Sequence, residues 1–375
     1  MTPPLADELL EPALLPFGES TMLPAEAYTS PDVLAWERRH FFAASWVCLG
    51  RVEAVFPKGR TQVATTVGDV GVLLSKGAGG AVAAFANTCR HRGHELLPDG
   101  GTSGKRAVVC PYHAWSYDLS GALIAAPGFR EVASFDPAAH GLVRLPAEVW
   151  HGWVFVNALG TAAPLAAHVG GLEGLVAPYA PERLVLGATH EYVVAANWKV
   201  ITENYHECYH CPLIHPELCE VSPPASGSNF DLPGVWVGGT MDLRDGADTM
   251  SLTGHSDGVP IEGVDPRVVL YLGLLPNLLL SLHPDYVMTH RMTPLAPDRT
   301  QVECAWYFVS SDVDPAYAVD FWDTTNRQDW GACESVQRGL ASPHFRPGPL
   351  APNEDAVHEL VTTIARGYRD GVLAG

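Results

Sequence analysis

A chain of 375 residues is long enough for two to three domains and for at least one core that needs no disulfide support. With 42 Asp+Glu against 23 Lys+Arg the net charge is −19, which repels phosphate backbones and anionic bilayers and excludes nucleic-acid binding and membrane-surface attachment. A hydrophobic content of 47% with 17% charged residues excludes a disordered chain, and eight Cys are too few for a disulfide scaffold.

The first residues carry acids and prolines where a secretion signal needs a basic start and an unbroken apolar stretch, so the chain reads as cytoplasmic, with reduced thiols. Residues 1–44 read as a helical arm, with Ser30 as N-cap and Pro31 at the first helical position of one helix. Residues 45–158 change to short β-rich runs punctuated by glycine, at 61–67, 70–74, 82–86 and 152–156, which predicts an all-β domain. An Ala/Gly/Pro-rich connection opens residues 159–375, where strands are expected at 185–195, 267–282, 285–291 and 300–310 and helices at 197–211, 316–340 and 353–369. That second domain is α+β, with helices packed against an antiparallel sheet, and loops are expected between 221 and 266. The longest apolar run, 268–282, is cut by Gly273, Pro276 and Asn277 and is too short to span a bilayer.

Two constellations carry chemistry. In the β domain Cys89-Arg90-His91 is followed by Cys110-Pro111-Tyr112-His113, one Cys/His pair on each of two loops. A Rieske [2Fe–2S] cluster needs two thiolates on one iron and two imidazoles on the other, which these pairs supply. The same ligand set would suit a structural zinc ion, but zinc sites usually begin with a Cys-x2–4-Cys pair and both pairs here are mixed, which favours iron–sulfur. His94 fits neither slot and reads as a hydrogen-bonded loop residue.

The second constellation is Glu203-Asn204-Tyr205-His206-Glu207-Cys208-Tyr209-His210-Cys211-Pro212-Leu213-Ile214-His215. On a helix Glu203, Glu207 and His210 share one face with Asn204 close by. Pro212 and Pro216 end that helix and free His215 to fold back, so two imidazoles can meet one metal ion with a carboxylate completing a facial triad. Cys208 and Cys211 form a C-x2-C, for which redox chemistry or zinc is conceivable and simple helix burial is the plainer reading.

Together CRHRG…CPYHAW and NWK…ENYHECYH…H resemble the oxygenase α subunit of the Rieske non-haem iron oxygenases, the aromatic-ring-hydroxylating family, over nearly the whole chain. The resemblance implies a Rieske domain with a helix-grip (START-like) catalytic domain, the arm packed with the latter. It implies Cys89 and Cys110 on one cluster iron, His91 and His113 on the other, and His210, His215 and Asp329 on a mononuclear Fe(II). Helical spacing supports Asp329, which shares a face with Trp322, Asn326, Cys333 and Val336. Glu207, where well-known dioxygenases carry Asp, becomes a hydrogen-bonded bridge from a neighbouring subunit's cluster to His210, with Asn204 beside it. The implied system uses O2, a small-molecule substrate and NAD(P)H only through a separate reductase, directly or with a ferredoxin. It works as a homotrimer. The ENYHECYHCP…HPEL stretch looks most like the branch that demethylates quaternary ammonium compounds such as betaines, for which Tyr271, Trp306, Phe308 and Trp322 are candidate cage aromatics. The alternatives are hydroxylation, dihydroxylation or O-demethylation of an aromatic acid, for which Arg291 would be a suitable cation, and a plain electron carrier with no second iron.

Overall fold

The computed structural model describes residues 3–375, and the chain divides into two compact units. One is 37–165; the other joins the N-terminal arm, up to Trp36, to 166–375.

In unit 37–165 the glycine-punctuated runs become strands β1 (Val47–Arg51), β2 (Gln62–Val67), β3 (Val70–Lys76), β4 (Val82–Ala86), β5 (Thr102–Ser103), β6 (Ala107–Val109), β7 (Ser116–Asp118), β8 (Leu123–Ala125), β9 (Arg144–Leu145), β10 (Ala147–Trp150) and β11 (Trp153–Val156). They form a five-stranded sheet in the order β5-β2-β3-β4-β9 and two three-stranded sheets, β1-β11-β10 and β6-β7-β8. Trp115, Tyr117, Phe85 and Leu73 are buried in one cluster with Cys89 and Cys110, so the cysteines are rooted in the core while the residues beside them reach the surface.

The second unit is built on one antiparallel sheet of β12 (Val185–Val194), β13 (Ser228–Asn229), β14 (Trp236–Asp242), β15 (Val268–Leu274), β16 (Leu278–Leu282), β17 (Tyr286–Ala296) and β18 (Arg299–Phe308), ordered β12-β18-β17-β16-β15-β14-β13. The apolar run expected as one strand at 267–282 is two strands, because the Leu275-Pro276-Asn277 turn reverses the chain and pairs Leu274 with Leu278. Both strands are apolar on both faces because both faces are covered. β13 and β14 lie in the stretch expected to be loop. A Gly-Gly pair hides β14, and Gly238 sits at φ +156°, where a Cβ would stand 2.2 Å from the Tyr271 carbonyl oxygen.

The long helix Ala316–Leu340 is tied to the sheet by Tyr192 Oη donating to Asp323 (2.5 Å), Trp322 Nε1 donating to Tyr286 Oη (2.7 Å) and an Asn326–His290 hydrogen bond (3.0 Å). Val336, expected on the inner face, is exposed while Gln337 is buried. Within the same unit the arm is held by Asn197 Nδ2 and Gln337 Nε2 donating to the Tyr28 carbonyl, and Ser30 caps the helix Pro31–Glu37 through Val33 N. Among the described residues no helix is long and apolar enough to cross a membrane.

Candidate metal centres

Each β-unit loop closes on itself in the same way. Cys89 N donates to the His94 carbonyl (2.8 Å) and Gly93 N to the Cys89 carbonyl; Cys110 N donates to the Trp115 carbonyl (2.8 Å) and Ala114 N to the Cys110 carbonyl. The turns need left-handed residues, and Gly93 (φ +74°) and Ala114 (φ +58°) occupy them. His91 and His113 rings meet edge-on at 4.7 Å, His91 stacks on Trp115 at 4.9 Å, and Nδ1 of both histidines is buried with no protein hydrogen-bond partner. Two buried thiols and two converging, unsatisfied imidazole nitrogens are the donor set a Rieske cluster takes, and they fit it. Composition gave no sign of Tyr117, whose hydroxyl lies 3.3 Å from Cys89 Sγ and accepts from Arg90 N (3.0 Å), pinning the first loop. His94 is an exposed loop residue bonded to the Glu95 carbonyl.

In the second unit the expected helix 197–211 stops at Tyr205, so Glu203, Glu207 and His210 do not share a helical face. Asn197 caps its start through Lys199 N (3.0 Å). Its end is set by His206, whose buried ring takes the Thr202 and Val237 carbonyls, and by Glu207, whose carboxylate accepts from the backbone N–H of Tyr209 and His210. Side-chain oxygen here replaces the helical carbonyls, and the chain turns. Glu203 is left in the interior, accepting from Tyr28 Oη (2.7 Å), with burial pushing its carboxyl up to about 8.

The turn presents His210 to the site. Nδ1 of His210 donates to Glu207 Oε1, leaving Nε2 3.1 Å from His215 Nε2 and 3.3 Å from Asp329 Oδ1. His215 Nδ1 donates to Gln328 Oε1 (2.7 Å), which turns its Nε2 to Asp329 Oδ1 at 2.8 Å. One donor atom from each of His210, His215 and Asp329 lies within 4.8 Å of the others, so the three can hold one metal ion on a single face, as in non-haem iron sites. Asn204 Nδ2 approaches His210 Nε2 at 3.5 Å. Gln328 carries no sequence signal, since only the docking of helix Ala316–Leu340 brings it to His215.

Charge follows the geometry. Burial alone would lower the His210 pKa, but Asp329 and Glu207 outweigh it and the imidazole is raised to about 9. Burial would likewise raise Asp329, and the two imidazoles hold it below the ordinary carboxylate range instead. A metal ion held on these three donors would displace the His210 proton. The affinity of the metal-free protein for Fe(II) or Co(II) is therefore expected to rise roughly tenfold per pH unit per proton displaced, from the ordinary histidine range up to about 9. Calorimetric titrations across that range check this, and a flat profile would show that binding displaces no proton from His210 there.

Beside these donors lies a cavity of about 530 Å³. Glu207, Asp329 and Asp355 supply its carboxylates and Phe17, Tyr205, Tyr271 and Trp322 its rings; among the described residues no Lys or Arg lines it. Tyr205, Tyr271 and Trp322 stand edge to face at 5.9 and 6.2 Å, Tyr205 anchored by its hydroxyl to the Leu280 carbonyl (2.8 Å). Tyr271 and Trp322 are among the cavity's lining residues. Trp306 and Phe308 are not: β18 lies three strands from β15 and these rings pack against His190 and against Tyr286 and Tyr317 in the core. Arg291 does not face the cavity either, being paired with Glu303 across β17 and β18 at 2.7 Å. Cys208 and Cys211, expected as buried thiols, form a disulfide; the other six cysteines are free.

Donors for an iron–sulfur cluster in one unit and a three-donor metal face in the other describe an oxidoreductase that joins one-electron relay to oxygen chemistry. Residues 45–136 match the Rieske [2Fe-2S] domain and residues 181–370 the ring hydroxylating alpha subunit catalytic domain. The chain is 32% identical over 368 residues to the glycine betaine monooxygenase oxygenase subunit of Chromohalobacter salexigens, covering 88% of this chain and 81% of that protein. It is 35% identical over 200 residues, 53% of each chain, to the carnitine monooxygenase oxygenase subunit of Escherichia coli strain K12. A crystal structure of the quaternary ammonium Rieske monooxygenase CntA superposes with a TM-score of 0.77 at 25% identity, over 97% of this chain and 98% of that one. Naphthalene 1,2-dioxygenase from a Rhodococcus species shares the fold at 18% identity, with a TM-score of 0.74 over 98% of both chains. The chain belongs to the ring-hydroxylating oxygenase α-subunit family: it is a Rieske non-haem iron oxygenase, working with a [2Fe–2S] cluster, a mononuclear iron, a small-molecule substrate and a separate reductase.

Proposed function

We propose that this oxygenase hydroxylates a methyl group of a quaternary ammonium compound, with Cys89, His91, Cys110 and His113 holding the cluster and His210, His215 and Asp329 the mononuclear iron. The cavity wall carries the substrate reading. Three carboxylates and four aromatic rings with no facing Lys or Arg suit a cation and leave an aromatic carboxylate without a partner. The relatives named for glycine betaine and carnitine support the same class.

When bound, the iron supplies oxygen activation with the electrons that arrive through the cluster. The protein's part is placement. Tyr205, Tyr271 and Trp322 hold the ammonium over their faces, and Gln328 and Glu207 fix the two imidazoles with Nε2 inward. One oxygen atom enters a methyl C–H bond; the other leaves as water with two electrons and two protons. The resulting N-hydroxymethyl group loses its hydroxyl proton, the C–N bond breaks toward nitrogen, and formaldehyde and a tertiary amine result.

Glu207 is the hydrogen-bonded bridge through which a neighbouring copy's cluster reaches His210. Unit 37–165 has 12 Lys+Arg against 9 Asp+Glu, net +3, while the remainder has 11 against 33, net −22. Opposite charge on the two units favours docking the β unit of one copy on the catalytic unit of the next, a heterologous contact that closes here as a homotrimer in the cytoplasm.

Replacing Tyr271 or Trp322 with Leu is expected to raise KM for a trimethylammonium substrate by roughly 2–30-fold, as loss of one cation–π contact of about 0.5–2 kcal/mol requires. Binding of the neutral tert-butyl isostere should move little. Equal losses for both compounds would mean that the rings pack without sensing charge, and turnover of methoxylated or simple aromatic acids alone would favour the other substrate class.

A further inference from the structure

We propose that Cys208 and Cys211 are a reversible redox site whose disulfide holds His210 in place for the metal, an inference that rests on reading His210 as an iron ligand. Their Cα atoms are 4.9 Å apart, and the bond closes a ring that contains Tyr209 and His210. Both cysteines line the cavity; Cys211 is buried and Cys208 half-buried, so small reagents in the cavity reach the pair.

The ring matters because the chain on either side of His210 has little packing of its own. Tyr209 is 62% exposed and Leu213 91% exposed. The backbone bonds of this segment are local: Cys211 N to the Cys208 carbonyl, Ile214 N to the His210 carbonyl, His215 N to the Cys211 carbonyl. Glu207 holds the upstream end through Tyr209 N and His210 N. The disulfide is the covalent restraint that keeps His210 Nε2 within 3.3 Å of Asp329 and 3.1 Å of His215. Disulfides in reducing compartments are usually transient and redox-sensing, and an oxygenase generates its own oxidising surroundings when turnover uncouples to peroxide.

The exchange is a two-electron step. A dithiol attacks one sulfur of the pair, the S–S bond breaks to a mixed disulfide, and the second thiol displaces it; two cysteine thiols form and the dithiol leaves as its cyclic disulfide. Hydrogen peroxide reverses this, re-forming the S–S bond as its O–O bond is reduced to two waters.

The test uses the full chain with its cluster intact and the mononuclear site stripped. Denaturing alkylation of protein prepared in air, without reductant, should label six cysteines, and eight after treatment with a dithiol. After desalting, the reduced protein should bind Co(II) about tenfold more weakly than the oxidised form, the scale on which partners of metal ligands act. The Cys208→Ser/Cys211→Ser protein should bind as weakly whatever its treatment. An unchanged Rieske visible spectrum reports that each sample is folded. Eight labelled cysteines before reduction, or one Co(II) affinity in both redox states, overturns the proposal. His210→Ala separates the two ideas: if it leaves Co(II) binding intact the ligand assignment fails and takes this site with it, whereas loss of binding there with no redox effect sinks the redox site alone.

Discussion

Asp329→Ala is expected to leave the Rieske spectrum unchanged while mononuclear iron is lost and turnover falls by about a thousandfold or more, roughly 4 kcal/mol of transition-state stabilisation. The physical case begins with burial. A carboxylate in the interior is costly unless it is paired, and Asp329 keeps a lowered pKa because His210 Nε2 and His215 Nε2 stand 3.3 and 2.8 Å from one of its oxygens. Removing it leaves two imidazoles, too few for a stable facial site, and takes away the charge that draws a divalent cation. The cluster proposed on Cys89, His91, Cys110 and His113 would be spared, because those residues belong to the other unit, with both cysteines buried in its core. Metal analysis with reduced-state EPR checks this. One iron lost from three with an intact cluster signal is the expected result, and full iron content with normal turnover would show that the third ligand lies elsewhere.

Glu207→Gln is expected to keep both metals, with mononuclear affinity weakened within about tenfold, yet to slow reoxidation of the reduced cluster by about a hundredfold. Glu207 accepts three hydrogen bonds at once, from Tyr209 N, His210 N and His210 Nδ1. Glutamine has one acceptor oxygen. Whichever way the amide turns, an N–H meets either the backbone donors or the imidazole N–H, so the bridge breaks while the loop survives. Glu207→Asp keeps the charge and loses a methylene, and should fall between glutamine and the native residue. Stopped-flow traces of the reduced cluster mixed with O2 and substrate read the step directly, and native rates in the glutamine protein would deny Glu207 its role.

Much of the fold was legible because it rests on local patterns. Two Cys/His pairs, glycine-punctuated strands and the capping Ser30 each write their structure into a few neighbouring residues. What was hidden depends on distant contacts. Helix propensity carried 197–211 past Tyr205, where two side chains, His206 and Glu207, capture the backbone groups a helix would use. A strand containing Gly238-Gly239 looked like loop, since its reason is the closeness of the Tyr271 carbonyl. Tyr205 was read only as part of a motif, and its place in the cavity wall appears once β15 and helix Ala316–Leu340 bring Tyr271 and Trp322 beside it. Trp306 and Phe308 erred the other way: ring chemistry qualified them for a cage, and sheet order placed them in the core. The whole-chain charge of −19 averages over a β unit of net +3 and a remainder of net −22, a division that composition alone does not show.

The central claim, oxygen-dependent demethylation of a quaternary ammonium, is tested most directly by reconstituting the protein with a reductase and measuring formaldehyde against O2 consumed with a trimethylammonium substrate. One formaldehyde and one tertiary amine per O2 is the predicted result. Oxygen uptake without formaldehyde from any quaternary ammonium, alongside coupled oxidation of an aromatic acid, would contradict it.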